Sequence, residues 1–390
     1  MKIIVNLWFK NVFLSLLFLL SAKAKAGTSL EEVRAFEVFK ANAEKGDARA
    51  QCGLGVCYDS GVGVAKDFTQ AVIWFRKAAE QGDAQAQSNL GVCFATGEGV
   101  EKDAEQAFLW YRKAAEQGLA QAQYYLGLSY ANGEGVVKDD VKAVSWHRKA
   151  AEQGDFQAQR ELSVRYSMGE GVEQDYAQAI LWCRKAAIQG DPQAQFNLGI
   201  CYTKGEGVSK DDAQAVSWWQ KAAEQGFDMA QYNLANQYTK GVGVSKDDVQ
   251  AFKWYRKAAE QGHAQAQLSF GVSYAAGRGV AKDMQQAVAW FRRAAEQGDV
   301  DAQYFLGLCY ARGEGVAKDE IEAYAYWNLA GVTSENARNN LATLEKSISP
   351  DARLLGQQRT KQLEKEMGMR LNSIEQHRKS LEQDRFRKGA

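Results

Sequence analysis

Residues 86–121 read AQSNLGVCFATGEGVEKDAEQAFLWYRKAAEQGLAQ, and residues 122–157 read AQYYLGLSYANGEGVVKDDVKAVSWHRKAAEQGDFQ. The second stretch is the first displaced by 36 residues. Ala50, Ala86, Ala122, Ala158, Ala194, Ala230, Ala266 and Ala302 mark the same place in eight copies, without insertion or deletion, to about Ala337. A half copy, Ala35–Asp47, precedes them. A fixed period of this length marks a stacked array of one supersecondary unit. With each marker alanine as repeat position 1, positions 1, 5 and 9 (Ala, Leu, Tyr) share a helix face. This predicts helix A, ending at a G-x-G-V such as Gly97-Glu98-Gly99-Val100, where glycine supplies the positive φ of a helix end. Helix B then opens on aspartate. Asp67 with Gln70, Asp103 with Gln106, Asp175 with Gln178 and Asp319 with Glu322 have capping-box spacing; Asp139 with Lys142 departs from it. Helix B ends at E-Q-G, and the aspartate that follows opens the next helix A, with Pro192 suited to a first turn.

Tryptophan recurs at Trp74, Trp110, Trp146, Trp182, Trp218, Trp254 and Trp290, with Tyr326 in the eighth slot. These rings are expected in the core. Each buried ring removes roughly 150–250 Å² from water, about 4–6 kcal/mol gross at about 25 cal/mol per Å². One helix pair cannot bury such a ring alone, so the pairs must stack. The composition agrees. Two prolines against 36 glycines in 390 residues indicate a chain that is almost all helix, and 46% hydrophobic with 25% charged residues indicates a folded one. Basic and acidic residues balance at 48 each, which gives no reason to expect nucleic acid as partner.

The unit A-x-x-x-L-G-x-x-Y-x-x-G-x-G-V with A-x-x-W-x-x-K-A-A resembles the Sel-1-like repeat (SLR) family, related to the tetratricopeptide solenoids, over residues 30 to about 345. The resemblance implies an all-α fold: a right-handed superhelical α-solenoid of helix-turn-helix repeats, with helix A lining the concave side. It also implies a protein-binding scaffold, in bacteria often secreted or envelope-associated. The expected organisation is a signal peptide at 1–26, a half repeat at 27–49, eight repeats at 50–337, and C-terminal capping helices with a polar tail at 338–390. Ser349-Pro350-Asp351 is a helix start. Leu363, Met367, Leu371, Ile374 and Leu381 then form a stripe that caps the array; self-association through it is the alternative to a monomer.

The first residues read as an address. Lys2 and Lys10 are followed by an apolar run from Val12 to Leu20 broken only by Ser15, and Ala24-Lys25-Ala26 is a cleavage site before Gly27. The run is too short and too interrupted for a good membrane span. Cleavage removes four lysines and no acid, leaving 44 basic against 48 acidic residues and a chain expected in the periplasm or outside the cell, not spanning a membrane.

Candidate chemistry is sparse. The glycines follow helices rather than strands and are turns, not phosphate loops. His147, His263 and His377 lack companions at metal spacing, and no nucleophile–base set can be assembled, so no metal, cofactor or enzymatic activity is expected. Cys57, Cys93, Cys201 and Cys309 fall at position 8, Cys52 at position 3 and Cys183 at position 26. Adjacent helix axes lie about 8–10 Å apart, whereas a disulfide wants Cα atoms roughly 4.4–6.8 Å apart, so free thiols are expected. Some cysteine-rich members of the family staple each helix pair; no copy here has the two within-repeat cysteines such a staple needs. This weakens the alternative function, a weak cell-wall-fragment or β-lactam binding protein or hydrolase.

Positions 4, 8 and 11 form a second stripe on helix A, with varied and polar residues. The expected partner-binding residues are Asn89, Tyr125, Asn132, Glu161, Arg165, Asn197, Lys204, Asn233, Gln237, Lys240, Phe305 and Arg312. A stripe tolerating arginine, glutamate and lysine is not expected in a core. Asparagine amides can donate to and accept from an extended peptide, while Tyr125 and Phe305 could anchor one. A merely solvated face is the competing reading.

Overall fold

The computed structural model describes residues 29–388, so the signal-peptide segment and its cleavage site lie outside the described residues. Nineteen helices and no strand occur among the described residues. First comes α1 (Leu30–Ala43), then α2 (Ala48–Ser60) with α3 (Phe68–Glu80), and α4 (Ala84–Thr96) with α5 (Ala104–Glu116). Next are α6 (Ala120–Asn132) with α7 (Asp140–Glu152), α8 (Phe156–Met168) with α9 (Tyr176–Ile188), and α10 (Pro192–Lys204) with α11 (Asp212–Glu224). Then follow α12 (Asp228–Lys240) with α13 (Asp248–Glu260), α14 (Ala264–Ala276) with α15 (Met284–Ala295), and α16 (Val300–Arg312) with α17 (Glu320–Ala330). The chain closes with α18 (Glu335–Glu345) and α19 (Pro350–Lys388). Contacts divide it into two units, one through Arg165 with Gly169–Glu173, the other from Gln174 to Asp384. In the first, consecutive helices pack from α1 through to α7; in the second, from α9 through to α18. This is the stacked-pair α-solenoid that the period requires.

Local chemistry sets the boundaries. Helix A stops at a left-handed glycine, such as Gly97 at φ 81°, whose N–H donates to the Cys93 carbonyl. Two residues on, Gly99 is also left-handed (φ 68°), and a Cβ there would overlap the Phe68 carbonyl at the start of the preceding helix B. One glycine therefore ends a helix and the next lets two backbones touch across repeats. Helix B starts as expected in one half: Asp103 Oδ1 accepts from the Gln106 N–H at 3.0 Å, and Asp139 does the same for Lys142 at 2.9 Å. The glutamine half of the expected capping box is not needed. The Asp103 N–H is already engaged, donating to the Phe94 carbonyl at 2.9 Å, and all eight aspartates at this place bond a position-9 carbonyl in this way. Among the described residues, a complete box closes only on α1, between Ser29 and Glu32.

The tryptophans correct the expectation. All but Trp182 are only half-buried, and a lysine three residues on lies over each ring through Trp254, as Lys113 does over Trp110 at 4.0 Å; Arg293 covers Trp290. The core side chain is the next residue, position 26, a ring in every copy but the fourth. Phe75, Tyr111, His147, Cys183, Trp219, Tyr255, Phe291 and Trp327 are all buried. Buried alanines flank it at positions 22 and 29, as Ala107 and Ala114 flank Tyr111. The ring fits because helix A offers a glycine beneath it: Gly55 under Phe75, Gly91 under Tyr111, Gly127 under His147, Gly199 under Trp219, Gly271 under Phe291 and Gly307 under Trp327. A Cβ at any of these would enter the ring.

A polar spine ties successive helices. Buried Gln87 donates its Nε2 to the Ala79 carbonyl at the end of α3, while its Oε1 accepts from Gln117 at the end of α5 (2.8 Å). The pattern returns at Gln51 with Gln81, Gln123 with Gln153, Gln195 with Gln225, Gln231 with Gln261, and Gln267 with Gln297. These bonds satisfy helix C-termini that would otherwise be buried with orphan carbonyls.

Within the second unit α19 lies on the last repeat. Leu363 and Thr360 are buried, Gly356 abuts Tyr324, and Arg359 Nε meets Glu322 Oε1 at 2.7 Å. Met367 sits against Gln303, completing the first part of the expected stripe.

Candidate functional site

The stripe at positions 4, 8 and 11 divides by depth. Position 4 rests on the core ring of the repeat before it. Tyr125 stacks on Tyr111 (centroids 5.1 Å, 28°) and Phe305 on Phe291 (5.3 Å, 19°). Tyr125 is only 2% exposed, so it is a core residue and not a free anchor; Phe305 remains half-buried. Asn89, Glu161, Asn197 and Asn233 occupy the same place half-buried. Asn89 Oδ1 accepts from Gln85 Nε2 at 3.0 Å, and Gln85 also reaches Gln121 on the next helix A at 3.4 Å.

Position 8 lies deeper. Cys57, Cys93, Ser129, Ser273 and Cys309 are buried there. Arg165 is buried too, against the expectation that a position holding arginine must be solvated. Its charge is met by Asp140 at 3.1 Å and Glu170 at 3.9 Å, which makes the burial tolerable. Gln237 is half-buried, and its Oε1 has no hydrogen-bond partner among the described residues.

Position 11 is the exposed edge. Asn132, Lys204, Lys240 and Arg312 all face solvent. The turn that follows answers three of them: Asn132 Nδ2 donates to Glu134 (3.4 Å), Lys204 meets Glu206 (3.5 Å) and Arg312 meets Glu314 (3.9 Å). Lys240 has Val242 at that place instead. The structure thus brings the exposed and half-buried members onto one face of successive A helices in each unit and withdraws Tyr125 and Arg165 from it.

The titratable groups offer little chemistry. His147 is the core ring of its repeat. Burial, with Arg165 nearby, pushes its imidazole down to about 3; the Tyr124 backbone opposes the shift, and neither ring nitrogen makes a well-formed hydrogen bond among the described residues. His263 caps α14, its Nδ1 accepting from the Ala266 N–H at 3.2 Å. The six cysteines form no disulfide with one another, and burial raises the Cys57 thiol to about 12 and that of Cys309 to about 11, so neither forms a thiolate near neutral pH. No group of three His, Cys, Asp or Glu that could hold a metal occurs among the described residues, and no described helix is long and apolar enough to cross a membrane.

Two cavities open in the second unit. One of about 430 Å³ lies under α19, but Arg292 there already bonds the Tyr310 hydroxyl (2.9 Å), and Arg359 is engaged by Glu322 and Glu366. The other, about 180 Å³, lies between α12, α13 and α14, beside position 8 of the seventh repeat. Sequence reasoning did not single it out, because its feature is a side chain too short for its place.

The Sel1 repeat pattern matches residues 48–83, 84–119, 120–155, 156–191, 192–227, 228–263, 263–299 and 300–331. Two solved structures are similar. One is a Sel1 repeat protein from Oxalobacter formigenes, 35% identical, covering 84% of this chain and 93% of that one at a TM-score of 0.59. The other is c5321, a protective antigen present in uropathogenic Escherichia coli strains that displays an SLR fold, 35% identical, covering 88% of this chain and 82% of that one at a TM-score of 0.53. No curated protein matches the sequence.

Proposed function

Because the chain belongs to the Sel1 repeat family, we propose that it is an exported scaffold that captures a protein or peptide along the helix-A face of its array. One observation carries this reading. A nearly constant frame of alanine, leucine, glycine and glutamine, broken at Ser163, Ala235 and Phe270, presents residues that differ from copy to copy at positions 4 and 11. Half-buried Asn89, Asn197 and Asn233 supply amide donors and acceptors, and exposed Asn132, Lys204, Lys240 and Arg312 form the rim. Repeats that share a frame and vary one face suit recognition of an extended partner, each repeat meeting a different stretch of it. Buried Tyr125 and Arg165 have no part in the contact set.

The export half rests on residues 1–26 and is tested by the mass of the chain recovered from the native organism. A chain beginning at Gly27 supports it, and one retaining Met1–Ala26 sinks it. The capture half is tested by crosslinking pull-down from envelope extract with Lys204→Glu and Lys240→Glu. Both charges are exposed and Lys204 makes only a solvent-facing pair with Glu206, so the variants stay folded and lose captured protein. Undiminished capture removes the face assignment.

A further inference from the structure

Position 8 of one repeat overhangs position 19 of the repeat before it, as the pair Arg165 and Asp140 shows: Nη1 to Oδ1 is 3.1 Å, and the arginine side chain is 7% exposed. Three repeats carry aspartate at position 19, namely Asp140, Asp212 and Asp248. The residues destined to overhang them shorten in order: Arg165, Gln237, Ser273. Ser273 is buried and turns its hydroxyl back to the Ser269 carbonyl (2.8 Å), leaving the place above Asp248 empty. The cavity of about 180 Å³ is this vacated slot.

We infer that the slot between α12, α13 and α14 receives an arginine side chain presented by a binding partner. The inference deepens the scaffold reading of the same face and rests on it. An occupied copy of the slot exists within this chain, since Arg165 shows that the frame accepts a guanidinium at this place and pairs it with the position-19 aspartate. Ala251, Leu268 and Val272 supply apolar wall for the propyl stem. Asp248 is about one-third exposed and pairs with the solvent-facing Lys246 at 3.8 Å, a looser contact than the 3.1 Å one that Arg165 makes with Asp140 in the occupied copy, so a guanidinium outcompetes it. The Tyr255 hydroxyl is already committed, donating to Asn236 (2.7 Å) and lying 3.3 Å from Thr239, so it shapes the floor without demanding a ligand of its own. One charge differs from the occupied copy. Arg278 stands at the mouth where Glu170 stands beside Arg165. It is exposed and swings outward when the slot fills, weakening the site relative to its occupied counterpart.

The test is a titration of the isotope-labelled full chain with acetyl-arginine amide, followed by amide shifts of Ser269, Val272 and Ser273. Acetyl-citrulline amide and acetyl-glutamate amide serve as the other arms. Arginine alone should move these signals. Asp248→Asn should lower the affinity about tenfold or more, and Ser273→Arg, which puts the chain's own guanidinium in the slot, should abolish it with unchanged helicity. Arg278→Glu should tighten binding several-fold, because it restores the charge found beside Arg165. The inference is overturned if arginine moves none of these signals, if Asp248→Asn binds as well as the parent, or if glutamate binds and is lost on Arg278→Glu. A chain that fills the slot yet captures no protein from envelope extract keeps the slot and loses the scaffold. Capture without arginine binding does the reverse.

Discussion

His147 makes acid a specific solvent for this fold. Its ring is fully buried over Gly127, and it titrates near 3 in the folded chain against 6.5 when unfolded. A histidine with a depressed folded value contributes its full stability above the unfolded value and loses it as pH falls below about 6.5. The unfolded chain binds the proton first, and each unit below that value costs about 1.4 kcal/mol, so about 2 kcal/mol is gone by about pH 5. His147→Phe removes both the titration and two buried ring nitrogens that make no well-formed hydrogen bond among the described residues. Phenylalanine already fills this place in Phe75 and Phe291, each over its own glycine. The variant should therefore be more stable by about 1 kcal/mol or more near neutral pH. That advantage should widen by about 2 kcal/mol at about pH 5. Urea unfolding of both proteins at the two pH values measures it, and carboxylates elsewhere cancel in the difference. Equal losses on acidification in the two proteins would refute the assignment of a neutral, unpartnered core imidazole.

Neighbouring aromatics in one helix should differ sharply. Phe291→Ala empties a site 2% exposed and should cost about 3–5 kcal/mol, while Trp290→Ala strips a half-buried ring and should cost about 1–2 kcal/mol, both read from thermal melts. The reverse order would restore the tryptophan to the core. Gly99→Ala puts a Cβ on a left-handed backbone and into the Phe68 carbonyl, so it should cost about 3 kcal/mol or more; a loss below about 1 kcal/mol would show that the two backbones do not touch.

The period, the helix pairs and their ends were readable from residues, because glycine, aspartate and alanine at fixed spacing each have one physical use. The core ring was not. Position 26 changes type in nearly every copy, from Phe75 to Tyr111 to His147 to Cys183, so a reading by shared letters passes over it and settles on the constant tryptophan beside it. Spacing held the signal only with two more neighbours: Ala107 and Ala114 flank Trp110 and Tyr111 alike, but Tyr111 also stands three after Phe108 and four before Ala115, whereas Trp110 does not. The depth of the variable face was hidden for a related reason. Arg165 reads as solvated by residue type, and only the distance to Asp140, 25 positions earlier, shows why it can be buried. Tyr125 reads as an exposed anchor until Tyr111 is seen against it.

The glutamine spine has a direction, since each link takes a carbonyl from the helix before it and offers an oxygen to a helix after it. Gene duplication or deletion of whole 36-residue modules rejoins every link, whereas a slip of a few residues severs two. The eighth copy has Thr333 where its predecessors have the donor glutamine, and Met367 of α19 lies on Gln303 instead. That copy cannot hand the chain of bonds onward and works as a terminator. Lineages of this protein should accordingly grow or shrink by events upstream of it, with the ending inherited intact.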